Sequence, residues 1–455
     1  MRHATIDMTQ GGITINLLRF ALPLMLSSML QQLYNTVDSI IVGRYVGLEA
    51  LAAVGMCGTV INLLISFLTG VTSGMTVVVA KYRGAKNGAM TWTTVLASLG
   101  MTLLLALVIS AAGFWGCGAL LRWIDTPAEL MDSARRYLRI SFGLCAFMTL
   151  YNTGSALLRG LGNARAPLLI LLATCMVNVL LDVLFVAVWG WGTDGAAWAT
   201  MIAQGISAVL MLRPLLRAVQ PPADPRLHRA EGLRAAREIL LIGLPSGVQQ
   251  LLSSLCGVVV QGLINSFGTL YIAANNIVVK VDHFCVQPIM SFSAALNTFI
   301  SQNAGAGDMR RVRRGARAGL IAGSVLALAS SVLMLLFGRY PMYLFTDDQA
   351  AIDTAFRILC IIVPFWVFFA AQHNVSAILR GLGDGLIPMV VSMCSLILLR
   401  IPLAYLLYAW TGDEMTNWWS MAAIWAVTGG ILLFYYLSGR WKQNPRIRRF
   451  IGKDV

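Results

Sequence analysis

Arg159-Gly160-Leu161-Gly162-Asn163 returns as Arg380-Gly381-Leu382-Gly383-Asp384, 221 residues later, and a proline stands eight residues after each arginine, at Pro167 and Pro388. The same offset carries Gly47 to Gly268, Ala52 to Ala273 and Gly84-Ala85 to Gly305-Ala306; Pro23 and Pro245 correspond with a slip of one residue. The chain is therefore two related halves. Each Gly-Leu-Gly follows an apolar run and lacks a downstream GxxG or GK[ST], so it reads as turn punctuation rather than a phosphate cradle. Repeated halves in an apolar chain are the usual mark of a secondary transporter.

Hydrophobic residues make up 58% of the 455 and charged residues only 12%, a balance that a soluble globular domain does not reach. Apolar stretches long enough to span about 30 Å of hydrocarbon number about twelve, six per half. Among them are residues 16–42, 137–157, 166–190, 195–215, 238–264 and 386–410. The expected fold is all-α and membrane-embedded, in two six-helix lobes. Six is even, so the second half starts on the same side as the first, and the pseudo-twofold should lie along the membrane normal. The expected division is an N-lobe over 1–215, a cytoplasmic linker over 216–237 with Pro221, Pro222 and Pro225, a C-lobe over 238–437 and a basic cytoplasmic tail over 438–455.

The formal net charge of +14 is concentrated in alternate loops, with Lys81, Arg83 and Lys86, Arg310 to Arg314, and Arg440 to Arg449 on one side. By the positive-inside rule that side is cytoplasmic and holds both termini, in the inner membrane of a prokaryote. An anionic leaflet accounts for these cations, so nucleic acid is not needed as a partner. The polar residues Met1 to Gly12 do not resemble a cleaved signal sequence. Eight cysteines without CxxC spacing suggest neither a disulfide framework nor a thiolate metal site. Walker and HExxH motifs are absent, which points away from ATP-driven transport and from zinc peptidase chemistry, and no cofactor is expected. A complete two-lobe unit needs no partner subunit.

An ionisable side chain inside the membrane is by default a functional candidate. Of twenty acids, only Asp38, Asp182 and Asp282 lie well inside apolar segments. Asp38 falls near the outer end of helix 1. Asp182 follows Asn178 by four residues on helix 5, on one face, and Thr200 lies just over a turn into helix 6. At about 1.5 Å per residue these four oxygen-bearing side chains reach comparable depths. Two carboxylates, an amide and a hydroxyl suit a monovalent cation or shared protons. The alternative is that Asp38 and Asp182 separately cross-link helices. At the repeat offset they meet Val259 and Leu403, while Asn178 meets Leu399 and Thr200 meets Met421, so the group occurs once. Asp282, beside Lys280 and His283, suits either a structural bond or a substrate cavity. Arg400 reads as a snorkelling or paired cation, and His373 gives no basis for a proton relay. Pro23, inside helix 1, forces a kink that is either a moving part or static packing.

These residues resemble the multidrug and toxic compound extrusion (MATE) family over nearly the whole chain. The resemblance runs from Leu22-Pro23, Gln31 and Asp38 through Lys81-Tyr82-Arg83-Gly84-Ala85, Leu158-Arg159-Gly160-Leu161-Gly162 and Gln302-Asn303-Ala304-Gly305-Ala306 to the second Arg-Gly-Leu-Gly. It implies two six-helix lobes around a central cleft that exports cationic or amphipathic organic compounds in exchange for Na⁺ or H⁺. Asp38, Asn178, Asp182 and Thr200 match the family's cation-binding pattern, Pro23 its bending proline and Gln31 a cavity-lining position; Tyr34 joins Gln31 and Asp282 as a candidate cavity residue. The acidic residues expected of NorM-type members in helices 7 and 10 are missing, since 238–264 offers only Glu238 and 355–378 none. The sequence is closer to DinF-like and MepA-like bacterial members. Two other functions remain open: a flippase for lipid-linked or other amphiphilic cargo on the same fold, and a membrane-embedded enzyme.

Overall fold

The computed structural model describes residues 5–123, 126–221 and 228–452 and, among these, forms helices and turns without a strand. The first half comprises α1 (Ile13–Tyr45), α2 (Leu48–Gly84), α3 (Gly88–Trp123), α4 (Ala128–Gly143), α5 (Cys145–Gly160), α6 (Arg165–Asp182) and α7 (Gly192–Ala218). The second comprises α8 (His228–Asn265), α9 (Thr269–Gly305), α10 (Met309–Phe337), the single turn α11 (Arg339–Met342), α12 (Gln349–Ile362), α13 (Trp366–Gly381), α14 (Leu386–Cys394), α15 (Ile401–Thr411) and α16 (Thr416–Leu437). The short α17 (Pro445–Ile451) follows. Both ends of α2 and α9, and the starts of α3 and α10, differ by the 221-residue offset.

Eleven helices among the described residues are long and apolar enough to cross a membrane. The expected span over 137–157 is divided at Leu144, where α4 meets α5. Its counterpart Gln349–Gly381 runs on through a 3₁₀ turn at Val363–Phe365 and is one span. The expected start of the seventh helix at residue 238 is too late. α8 begins at His228, because Ala235 and Ile239 are buried while Arg234 and Glu238 pair along one face, with Arg234 Nε 3.5 Å from Glu238 Oε1. An amphipathic turn of this kind looks like linker when judged by hydropathy alone. Residues 222–227, which include Pro222 and Pro225, lie outside the described residues.

The chain divides into two compact units, one of Met1–Asp7 with Leu26–Gly243, the other of Met8–Met25 with Leu244–Val455. Membership changes inside α1 and inside α8, within a few residues of Pro23 and Pro245. The first unit's core joins Ile41, Val42, Cys57, Leu121, Leu138 and Phe142. The second is built on Tyr271, Ile352, Leu359, Trp366 and Trp425.

The repeated motif has a physical explanation in each unit. Asn163 N–H bonds Leu158 O at 2.8 Å and Asp384 N–H bonds Leu379 O at 2.9 Å. These are the long closing bonds of a Schellman turn, whose left-handed residue is Gly162 (φ 88°) or Gly383 (φ 94°), a backbone only glycine enters freely. The preceding glycine serves close approach. A Cβ on Gly160 would stand 2.7 Å from Thr76 O, and one on Gly381 would stand 3.0 Å from Asn297 O, the residue at the same repeat offset from Thr76. The last residue of the motif caps the next helix, Asn163 Oδ1 accepting from Ala166 N–H at 3.0 Å and Asp384 Oδ1 from Leu386 N–H at 3.0 Å. In the second unit the fully buried Asp384 also takes Asn444 Nδ2–H at 2.6 Å, and Phe450 packs over Gly383. The aspartate thereby docks α17.

Two outcomes follow from these contacts. Gly160→Val and Gly381→Val should each destabilise the protein by about 1–3 kcal/mol through overpacking, seen as a lower unfolding midpoint in detergent, whereas Gly88→Ala, with open space at its Cβ, should not. Asp384→Asn should keep the turn, as Asn163 does in the first unit, but lose the acceptor for Asn444. Trypsin cleavage after Arg448 and Arg449 should then accelerate while the midpoint drops by only about 1 kcal/mol.

Candidate functional site

Gln31, Tyr34 and Asp38 recur at i, i+3 and i+7 in α1 and so share one face of the helix. Because α1 extends to Tyr45 rather than ending near residue 42, Asp38 lies about two turns inside its end. Asn178 and Asp182 occupy the last turn and a half of α6, and both are buried, Asp182 completely. Thr200 lies in the third turn of α7. All belong to the first unit.

The four proposed ligands converge. With its amide oriented to suit its neighbours, Asn178 donates from Nδ2 to Asp182 Oδ2 at 2.7 Å and accepts from Thr200 N–H at 3.2 Å. Asn178 therefore ties α6 to α7 and fixes one oxygen of Asp182. The Asp38 carboxyl comes within hydrogen-bonding reach of Asp182. One oxygen of each carboxyl, Asp38 Oδ1 and Asp182 Oδ1, is buried with no donor. An ionised carboxylate can only accept, so two of them facing each other are unsatisfied until a proton is shared or a small cation lies between them. Both kinds of occupant are compatible with this donor set.

Two tyrosines complete the surroundings. Tyr34 lies close to Thr200 and within electrostatic range of both carboxyls, so it stands beside the carboxylate pair. Tyr137 of α4 is buried and near Asp38, Tyr34 and Asp182. It was missed in the sequence because the α4 face that carries it is an ordinary apolar stripe. Gln31 is half-buried and one turn removed from Tyr34. Asp282, by contrast, lies on α9 in the second unit and accepts Trp366 Nε1–H at 3.1 Å.

The chain beyond Asp182 leaves the α-helical register. Val183–Val188 form a π turn, in which Trp189 N–H reaches Leu184 O at 2.9 Å. Such turns shift the helix face presented to neighbours and recur at functional sites. Phe185 then stacks on Trp189 and Trp191 with ring centroids 5.1 and 4.9 Å away, and the chain reverses through Gly190 (φ 67°) and Gly192 (φ 60°). The two tryptophans are about half exposed, as expected of residues at a membrane interface. The second half also has a π turn, at Ser395–Arg400, which is not at the repeat offset.

Comparison with known proteins agrees with this architecture. The family model MatE matches residues 23–184 and again 245–406. The chain is 30% identical over 439 residues to the probable multidrug resistance protein YoeA of Bacillus subtilis, covering 94% of each chain. It is 29% identical over 438 residues to the probable multidrug resistance protein YpnP of the same organism, covering 96% of this chain and 97% of that one. Among solved structures, an outward-facing multidrug resistance MATE family transporter of the MOP superfamily superposes with a TM-score of 0.88 at 22% identity, over 97% of this chain and 99% of that one. Two matched repeats, relatives covered from end to end and a shared helical fold identify the chain as a multi-pass membrane transporter, not an enzyme, and place it in the MatE family.

Proposed function

We propose that this protein is an antiporter that exports small cationic or amphipathic organic compounds in exchange for H⁺ or Na⁺ held at Asp38, Asn178, Asp182 and Thr200. The observation that carries this reading is the pair of buried, donor-free carboxyl oxygens on helices α1 and α6. Its relatives' names, probable multidrug resistance proteins, support small organic compounds as cargo. The basic loops support cytoplasmic termini and an inner-membrane location.

Occupancy of the carboxylate pair couples to movement through α1. An arriving cation or proton draws Asp38 toward Asp182, which Asn178 holds in place. Withdrawal of the charge leaves two facing acceptors that repel. Pro23 lacks the N–H that would complete the preceding turn, and the change of compact unit along α1 occurs between Met25 and Leu26. An ion bound more tightly in one conformation than in the other can shift the equilibrium only by that difference in affinity.

Purified protein in liposomes should move a fluorescent cationic dye when either a pH gradient or a Na⁺ gradient is imposed, and the effective gradient names the ion. Asp38→Asn and Asp182→Asn should each reduce driven export to the level of empty liposomes while keeping a normal unfolding midpoint. Wild-type export by both variants would refute the assignment of the site. Pro23→Ala should restore a helix hydrogen bond, worth up to about 3 kcal/mol, and so leave the midpoint equal or higher; driven export should nonetheless fall several-fold. Unchanged export by Pro23→Ala would make the proline static packing.

A further inference from the structure

Arg400 closes the π turn of the second unit, deep in the span Leu386–Thr411. At 1.5 Å per residue it lies roughly 20 Å along the axis from Leu386 and roughly 16 Å from Thr411. Neither end is within reach of a snorkelling side chain. Arg400 takes part in none of the ion pairs Lys81–Glu238, Arg136–Asp194, Arg234–Glu238, Arg339–Asp353 and Arg446–Asp384. Its Nε is buried without an acceptor. The sequence alone suggested a snorkelling or paired cation; the structure provides neither the depth for the first nor an acid for the second.

Near it on α8 lies Cys256, a buried thiol that itself leans toward Leu396 O at 3.8 Å. Further along the same seam Gln249 Nε2–H bonds Ser392 Oγ at 2.9 Å, while Gln249 Oε1 is buried and unpartnered. In the first unit the equivalent of Arg400 is Val179, next to Asn178. Beside the place that holds Asn178 and Asp182 in the first half, the second half thus carries a guanidinium. An unpaired cation at mid-membrane depth is costly, and a guanidinium matches a planar carboxylate or a phosphate with two parallel hydrogen bonds.

We propose that Arg400 is a substrate-recognition residue for organic anions, so that the preferred cargo is an amphiphile bearing a carboxylate or phosphate, zwitterions included. The proposal rests on the reading of the chain as an exporter of small organic compounds and is independent of which ion drives it. Lipid phosphates lie at the headgroup level, too far along the axis to be the usual occupant, so the anion belongs to the cargo.

The test is binding of rhodamine B, which carries a free carboxylate, against its ethyl ester, which does not. Fluorescence polarisation would be read with protein in phosphatidylcholine nanodiscs and no ion gradient. Wild-type protein should prefer rhodamine B. Arg400→Gln should reduce that preference on the order of tenfold, the loss expected for a hydrogen bond to a charged group, with ester binding unmoved, and Arg400→Lys should keep part of it. Equal binding of both dyes by wild-type protein, or an unchanged preference in Arg400→Gln, would overturn the proposal. So would an equal weakening of both dyes with a lowered unfolding midpoint, the sign of a purely structural arginine. Displacement of rhodamine B by added phosphatidylglycerol would identify a lipid as occupant and overturn it as well. Because no gradient enters, a failed coupling experiment leaves this result standing, and the reverse also holds.

Discussion

In hydrocarbon no water is available to the backbone, so every peptide N–H and C=O must be satisfied within the protein. The rest of this structure depends on that constraint. Spans of about thirty residues satisfy their own backbones, and the difficulty moves to helix ends and turns. There the repeat supplies the same solution again and again: a Schellman closure with a left-handed residue, then a side-chain oxygen that caps the next helix. Gly162 with Asn163 and Gly383 with Asp384 do this at the Gly-Leu-Gly turns. Lys86 (φ 54°) with Asn87 and Gly307 (φ 75°) with Asp308 do it after α2 and α9, where Asn87 Oδ1 accepts from Met90 N–H and Asp308 Oδ1 from Arg311 N–H, both at 2.9 Å.

Once the backbone is satisfied, polar side chains inside the membrane become the exceptions that carry function. The first unit concentrates them where α1, α6 and α7 meet. Asn178 is the central element, since it spends one side of its amide on Asp182 and the other on the backbone of Thr200. Asp182 is thus positioned by α6 and α7, whereas Asp38 arrives on α1. In the proposed mechanism, charge between a fixed carboxyl and a carboxyl on a proline-containing helix controls the position of that helix. Among the described residues the second unit shows no such pair. There Asp282 is satisfied by Trp366, and the Nε of Arg400 is buried without an acceptor.

The aromatic groups at the end of α6 link the site to the membrane surface. Phe185, inside the π turn that follows Asp182, stacks on Trp189 and Trp191 just beyond it, which ties the end of α6 to rings of the kind found at a membrane interface. Gly195 supports this arrangement, because a Cβ there would lie 3.1 Å from the Cβ atoms of both Phe185 and Trp191.

Apolar run length, the 221-residue offset and the lack of a second copy of Asp38 and Asp182 determine the two-half helical architecture and the candidate ligands, because helix length and repeat register are local properties of the chain. Three features were decided only by tertiary structure. Tyr137 lies near the carboxyls, yet its helix face reads as plain core until α4 is packed against α2, α3 and α7. α8 starts at His228 because Ala235 and Ile239 find buried positions, which no window of hydropathy reveals in a charged segment. Arg400 looks like any paired or snorkelling cation in sequence, and only the fold shows its Nε buried without an acceptor, since whether a charge is compensated depends on which side chains fold to face it.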